Sequence, residues 1–418
     1  MRRLQKFRHV PYFCSARSLA GGGDGSRLAM QTLYKIHGDL VSSLGPWVKR
    51  GLMDKIDWSA RLIGIKGARG IGKTTFLLNY AKMLASTHKC LYADLNDFYF
   101  STRSIVSLAD EFVKTGGHTL LLDQVYKYPD WSDELRYCHD NFPDLHIVFT
   151  GSPVMRLKEE NTRLRGLVDV YSLDGFSFRE FLNYSSGNNF PVVSLDDILS
   201  NHVDICRGIT QRVKPLAFFS DYLRHGFYPY FLGQKSVYVD LVKTINLVLE
   251  VEISYLQQID IKLIPKLRKL LYIIARQAPF QPNVSKLAAE VDTSRATVMN
   301  YMVYLKHARL IHLLYQLGDS ANKKPAHIFM QNPNLMYLCN YGGVERDALQ
   351  KTFFFNQLGY GNTVERGPSG DFCVNGGPCF AVGDGAKVKA DCQTFLTREM
   401  IEVGEGNLIP LWLFGFIY

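Results

Sequence analysis

The chain has 418 residues and a mass of 47.5 kDa, too long for one ordinary hydrophobic core, so two or three domains are expected. Hydrophobic residues make up 47% and charged residues 21%, a globular composition that excludes a disordered or fibrous chain. The net charge of +9 is concentrated at the start: Arg2, Arg3, Lys6, Arg8, Arg17 and Arg27 stand against Asp24 alone, which excludes a polycationic body.

Residues 1–29 have no continuous apolar stretch and only faintly resemble an organellar transit peptide. They read as a disordered or misassigned extension ahead of Met30. A helix-like segment from Gln31 leads to "RLIGIKG", a short apolar run ending in glycine, as a buried strand does on entering a turn. "GKTTFLLNYAKMLAST" follows with helical spacing. "HKCLYADLND", "HTLLLDQV" and "LHIVFTGSP" are three further strands, each with polar groups just past its apolar part. Strands alternating with helices imply a parallel sheet covered on both faces. Ligands of such sheets sit at the carboxyl ends of the strands, where these polar groups gather.

"GARGIGKT", from Gly67 through Ala68, Arg69, Gly70, Ile71, Gly72 and Lys73 to Thr74, fills every fixed position of G-x-x-x-x-G-K-[ST], with a strand before it and a helix after. Its glycines let successive N–H groups converge on a phosphate at a helix N-terminus, with Thr75 beside them. Lys73 would bridge the β- and γ-phosphates of ATP, and the Thr74 hydroxyl would be a Mg²⁺ ligand. Asp123, at the tip of "TLLLD", would hold Mg²⁺ through its water. Gln124 takes the place where many ATPases carry a glutamate base. An amide can orient water but accepts a proton poorly, so slow hydrolysis is expected. Thr150 and Ser152, after the fourth strand, read equally well as γ-phosphate contacts or as turn residues. Arg163 and Arg165 read as solvated.

Residues 191–260 are aromatic-rich and helical in period, a lid or linker. Within 261–320, "SKLAAEVDTSRATVMNYMVYLKHARLI" has winged helix-turn-helix spacing, with Ser294, Arg295, Thr297 and Asn300 at the start of its second helix. Its charge is modest for a DNA reader, so a structural lid or subunit contact and DNA contact both stand. From 321 to 418, short strands and helices alternate among glycine clusters. The closing "LIPLWLFGFIY" is too short to span a membrane and reads as a buried strand pair or turn. The eight cysteines form no C-x-x-C pair, and they read as reduced, mostly buried thiols of a cytoplasmic protein.

Taken in order, "GARGIGKTTFLLNYA", "LLLDQVYKYPDWSDELR", "VFTGSP", "GFSFREFLNY", "KTFFFNQL", "GDF" and "IPLWLFGFIY" resemble the prokaryotic AAA-superfamily ATPases that carry a C-terminal nuclease-like domain of unknown function. The resemblance covers almost everything from Met30 to Tyr418. It implies an α/β fold: a P-loop NTPase parallel sheet over 30–190, then the helical and winged-helix segments, then a small restriction-nuclease-like α/β domain. That domain would use two or three carboxylates around Mg²⁺ and a lysine. Here Lys351 stands where the first acid should be, Asp371 is kept, Ala381 replaces the second acid and Gly385 falls near the lysine position; Asp384 and Lys387 are wrongly spaced substitutes. A non-catalytic relic or interaction module is expected. The leading expectation is a Mg-ATP-binding protein, a slow ATPase or an ATP-dependent switch acting on its C-terminal domains. The alternatives are an ATP-dependent DNA-binding protein and an interaction scaffold with a vestigial nucleotide site. Expected partners are ATP and either another protein, a second copy of the chain or DNA, but no membrane.

Overall fold

The computed structural model describes residues 23–85, 89–153, 161–233, 236–254, 259–319, 323–338, 340, 343–367, 370–385 and 394–418. The expected N-terminal extension lies outside the described residues up to position 22. Its end is helical: α1 (Gly23–Ser42) runs straight through Met30, and Met30 and Leu33 are buried.

Strands β1 (Leu62–Lys66), β2 (Cys90–Asp94), β3 (Thr119–Asp123), β4 (His146–Gly151) and β5 (Asp169–Ser172) form a sheet in the order β2-β3-β4-β1-β5. Every pairing in it is parallel. Both faces are covered, which is why β1, β3 and β4 are almost continuously apolar. On one face Ile63, Ile65, Leu121 and Val148 meet Leu77 of α2 (Lys73–Leu84). On the other, Leu120, Leu122, Ile147 and Phe149 meet Leu108 of α3 (Ile105–Lys114) and Leu135 of α4 (Trp131–Asn141). Strand alternation thus sends neighbouring residues to opposite cores. This is the α/β P-loop NTPase fold, and its register sets Asp94 beside Asp123 at the carboxyl edge.

After β5, α5 (Phe178–Ser186) opens with a capping box in which Ser177 and Glu180 satisfy each other's backbone N–H groups. Helices α6 (Leu195–Thr210), α7 (Leu216–Asp221) and α8 (Val237–Leu247) follow, and α8 runs into a π-helical turn, Val248–Ile253. Next come α9 (Ile264–Gln277), α10 (Val284–Val291) and α11 (Arg295–His307), then an antiparallel pair, β6 (Ile311–Leu314) and β7 (His327–Met330). Asp292 takes a left-handed conformation to close α10, and the Ser294 side chain caps α11. Leu267, Leu271 and Ile274 of α9 belong to the same core as Ile65, Leu77 and Val148, through Leu249 and Ile253. The helical segment is therefore packed onto the nucleotide-type sheet.

The remainder holds α12 (Pro333–Met336), α13 (Arg346–Leu358) and a sheet ordered β12-β11-β10-β9-β8, built from β8 (Val364–Glu365), β9 (Phe372–Val374), β10 (Cys379–Val382), β11 (Thr394–Arg398) and β12 (Leu408–Pro410). Phe353, Phe354, Phe380, Trp412 and Phe414 fill its core together with Phe178 and Tyr222, so α5 belongs to this body as well. The apolar C-terminal run is β12 followed by a 3₁₀ stretch, Leu411–Phe416.

One expectation needs correcting. Cys373 and Cys379 are bonded as a disulfide, because the β9–β10 hairpin sets them directly opposite each other. A spacing of six residues carries no C-x-x-C signal, whereas cross-strand register brings the two sulfurs together. Cys90, Cys138 and Cys206 are free and buried. Cys14, Cys339 and Cys392 lie outside the described residues.

On β6, His312 stacks on Phe355 with ring centroids 4.6 Å apart, and its Nε2 is buried without a hydrogen-bond partner. Burial, aided by the charges of Arg309 and Lys306, lowers its pKa from 6.5 to about 3. The unfolded chain therefore binds a proton between these values that the folded chain refuses. The contribution of His312 is fully present above pH 6.5 and is lost as pH falls toward about 3. Over that interval the wild type should lose about 1.4 kcal/mol more per pH unit than His312→Phe. Urea titrations at several pH values check this; parallel stability curves would refute it.

Candidate nucleotide site

The segment between β1 and α2 is built around two left-handed glycines and two close approaches. Gly70 and Gly72 adopt φ of 84° and 93°, a left-handed backbone that side chains with a Cβ resist. A Cβ on Gly67 would strike the Leu173 carbonyl, and one on Gly70 would strike the Tyr230 hydroxyl. Ile71 is wholly buried and pins the loop to the core, while Thr75 is exposed at the start of α2. The loop borders a cleft of about 780 Å³ shared by Lys73, Thr74, Asp123, Gln124, Pro229 and Glu252.

Lys73 turns back over its own loop, donating to the carbonyls of Gly67 at 2.7 Å and Ala68 at 2.8 Å. Burial pushes its pKa down, opposed by the negative charges of Glu252 and Asp123. Thr74 Oγ1 donates to Asp123 Oδ2 at 2.6 Å, and the Tyr92 hydroxyl donates to the same oxygen at 2.9 Å. The other carboxylate oxygen receives Thr150 Oγ1 and, at 3.0 Å, the Gln124 N–H. Thr150 thus faces Asp123, and its oxygen also accepts from the Gln124 N–H at 3.0 Å. Ser152 is buried and donates to Glu252 Oε2 at 2.6 Å.

Gln124 sits just past β3 with φ of 55°. Its Nε2 donates to Asp94 Oδ2 at 2.9 Å. Burial, with the nearby negative charge of Asp123, raises the Asp94 pKa above the usual carboxylate value. The edge of the sheet therefore carries an amide–carboxylate pair. Arg163 pairs with Asp133 at 2.8 Å on the surface, and Arg165 is exposed.

Besides Tyr92, four residues at this site were not singled out from sequence. Arg50 is buried, and its guanidinium reaches Glu180 Oε2 at 3.0 Å, the Ile71 carbonyl at 3.1 Å, and the carbonyls of Asp174 at 2.6 Å and Gly175 at 3.0 Å. It lies over the Phe176 ring, 4.3 Å from its centroid. Glu252 comes from the π-helical turn after α8 and reaches the phosphate-loop residue Arg69 at 3.4 Å. Tyr230 covers Gly70 and exchanges a 2.5 Å hydrogen bond with Thr244 of α8. Only Glu180 had a visible signal, the S-x-x-E spacing of its capping box. The rest act through pairings that no short-range spacing announces, such as Arg50 with Glu180 and Glu252 with Arg69.

A second cleft, about 580 Å³, lies beside α13, β9 and β10. There Lys351 bridges Asp347 at 2.9 Å and Asp371 at 3.1 Å. Gln350 donates to Asp384 at 3.2 Å and to Glu399 at 2.7 Å, and Arg346 meets Glu399 at 2.9 Å. Ala381 and Gly385 line the wall. Among the described residues no group of three or more His, Cys, Asp or Glu is placed to hold a metal ion. Lys387 lies outside the described residues.

A family described as "AAA domain" matches residues 59–182. That span holds the parallel sheet, the loop at 67–74 and the Asp123–Gln124 edge. Residues 59–182 are an AAA domain. A second family, "Domain of unknown function (DUF8612)", matches residues 217–330; it covers the helical segment and ends ahead of the C-terminal sheet. The uncharacterized protein MJ1637 of Methanocaldococcus jannaschii is 24% identical over 279 residues, covering 63% of this chain. The chain spans 58% of that relative's length. Among solved structures, AMPPCP-bound DnaA from Aquifex aeolicus aligns over 68% of this chain and 89% of its own, at 15% identity and a TM-score of 0.22. PCH-2 of C. elegans aligns over 68% and 69%, at 11% identity and a TM-score of 0.22. The assignment of the AAA domain rests on the family match and on the strand order with its phosphate loop. Among the described residues no helix is long and apolar enough to cross a membrane.

Arg50 joins the loop to α5, so its removal should be felt as lost stability. Arg50→Ala leaves the Glu180 carboxylate, 3% exposed, and three carbonyls short of a donor. Breaking a buried pair in this way costs about 3–5 kcal/mol. Chemical denaturation of the variant should show a loss of that size; a loss below about 1 kcal/mol would place the pair among the weak surface bridges.

Proposed function

We propose that the AAA domain binds Mg-ATP through Gly67 to Thr74 and hydrolyses it slowly, as a switch that acts on the domains after it. The observation that carries this is the meeting of Lys73, Thr74 and Asp123 at one strand edge, with Thr74 and Asp123 only 2.6 Å apart. Both are oxygen donors of the kind Mg²⁺ takes, so the residues present fit the ion. Bound there, it would supply positive charge against the phosphates. Lys73 trades its two loop carbonyls for the β- and γ-phosphate oxygens, and the glycine amides hold the β-phosphate. Thr150 and Tyr92 fix the Asp123 carboxylate, so Thr150 acts through that carboxylate, and Ser152 would serve the terminal phosphate.

In hydrolysis a water oxygen bonds to the γ-phosphorus. The bond from that phosphorus to the β–γ bridging oxygen breaks, its electron pair leaves with ADP, and the water gives up a proton. Gln124 can hold that water by its amide but is a poor acceptor for the proton. The packing of Leu249 and Ile253 with α9 supports transmission toward the later domains. The C-terminal cleft, with Lys351 bridging Asp347 and Asp371, favours an interaction module over a nuclease centre, with another protein or a second copy of the chain as the partner. A second reading, ATP-dependent DNA binding, draws support from Arg295 and Asn300, both exposed at the start of a well-capped α11.

Two measurements test the leading reading. Lys73→Ala should weaken Mg-ATP binding by about tenfold or more, about 1.4 kcal/mol; equal affinity in both proteins would remove the nucleotide assignment. Gln124→Glu places a carboxylate where the amide stands, at nearly constant volume. General-base assistance is worth about 10²–10⁴ in rate, so even poor alignment should raise steady-state phosphate release roughly tenfold. A wild type that already turns over briskly, with Gln124→Glu no faster, would defeat the slow-switch reading.

A further inference from the structure

Glu252 is 2% exposed, and it belongs neither to the phosphate loop nor to the sheet. It is carried on the π-helical turn Val248–Ile253. Each of its oxygens has a donor from the nucleotide-type domain: Ser152 Oγ just past β4 at 2.6 Å, and the Arg69 guanidinium within the loop at 3.4 Å. Its negative charge is also the chief one acting on Lys73, ahead of that of Asp123. Lys73, a loop arginine and a hydroxyl past the fourth strand are donors of the kind that receive a terminal phosphate. They are turned toward, or held under the charge of, a carboxylate brought from outside the domain.

We propose that Glu252 occupies the seat of the γ-phosphate and thereby discriminates ATP from ADP. This rests on the nucleotide-binding reading given above. ADP leaves the seat to the carboxylate, so Glu252 stays on Ser152 and Arg69. ATP brings a dianionic phosphate group to the same donors, and two anions within a few ångströms of one another in a poorly solvated cleft repel strongly. Glu252 must withdraw, and it moves with its helical turn. Leu249 and Ile253 of that turn lie in one core with Leu267 and Leu271 of α9, and Glu250 is tied to Arg268 of α9 at 2.6 Å. The γ-phosphate is thus read mechanically by the segment that leads into α10 and α11.

The test compares wild type, Glu252→Gln and Lys73→Ala. Mg-ATP and Mg-ADP affinities are measured by calorimetry, and amide exchange across Val248–Ile253 is followed with each nucleotide. Glu252→Gln keeps the shape and removes the charge, so ATP affinity should rise by about tenfold or more while ADP affinity changes by no more than about twofold. In the wild type ATP, but not ADP, should speed exchange in the turn, and the variant should lose that difference. An unchanged ATP-to-ADP affinity ratio, or an equal loss for both nucleotides, overturns the proposal while leaving nucleotide binding intact. Binding of ATP by Glu252→Gln but not by the wild type supports it in its strongest form. Binding of neither nucleotide by any of the proteins overturns this proposal and the nucleotide reading together. If the glutamine variant fails to fold, Glu252→Asp, which withdraws the charge by one methylene, should shift the ratio in the same direction; an unshifted ratio there counts against the proposal.

Discussion

A carboxylate at the end of a wholly buried strand must be surrounded by donors, and Asp123 is 1% exposed. Its donors arrive from four directions in the sequence: Thr74 on α2, Tyr92 on β2, Thr150 on β4 and the backbone of Gln124. Each bond is modest by itself, yet an unpaired charge in that position would cost several kcal/mol. The requirement therefore sets the relative positions of α2 and three strands. The phosphate loop is held there by Thr74, one residue past Lys73, which is tied to that carboxylate, by buried Ile71 and by Arg50. The Thr74 bond couples the start of α2 to the strand edge, where register sets Asp94 beside Asp123.

The same logic recurs between bodies. Glu180 is held by Arg50 and by the Gly51 N–H at 2.7 Å. Its neighbours Ser177 and Arg179 donate to the backbone carbonyl of Tyr418 at 2.7 and 3.0 Å. One short segment, α5 and its cap, thus meets the loop through Arg50 and the last residue of the chain through Ser177. Since Phe178 on that helix also sits in the aromatic core of the C-terminal sheet, polar and apolar contacts both bind α5 to that sheet. The AAA family match ends at residue 182, within this helix, so the domain and its neighbour share a structural element rather than a flexible linker.

The parts legible in the sequence were those governed by short-range rules. The first four strands of the first sheet, the glycine loop after β1 and the helix-turn-helix spacing of α10 and α11 follow from periodicity, steric freedom and capping within a few residues, whereas β5 was not read as a strand. The C-terminal run was read as buried, and it is. What escaped was chemistry assembled over distance. Arg50 and Glu180 are 130 positions apart and Ser152 and Glu252 are 100 apart, and nothing local to either partner announces the other. The disulfide escaped for a related reason: Cys373 and Cys379 meet through strand register, which a spacing rule does not contain. The polar end of "HKCLYADLND" was placed at the strand edge from sequence, but the bond of its Asp94 to Gln124 depends on two strands pairing in register.

That last pair bears on how a glutamine persists at position 124. A glutamate there would sit against Asp94, whose pKa is already raised by burial and by the charge of Asp123. Three carboxylates at one strand edge would repel one another, a cost that a glutamate base at position 124 carries. The amide avoids this by donating to Asp94 instead, and it leaves Asp123 as the acid whose donors are complete. The amide at position 124 thus relieves the repulsion that a third carboxylate would bring to the Asp94–Asp123 edge.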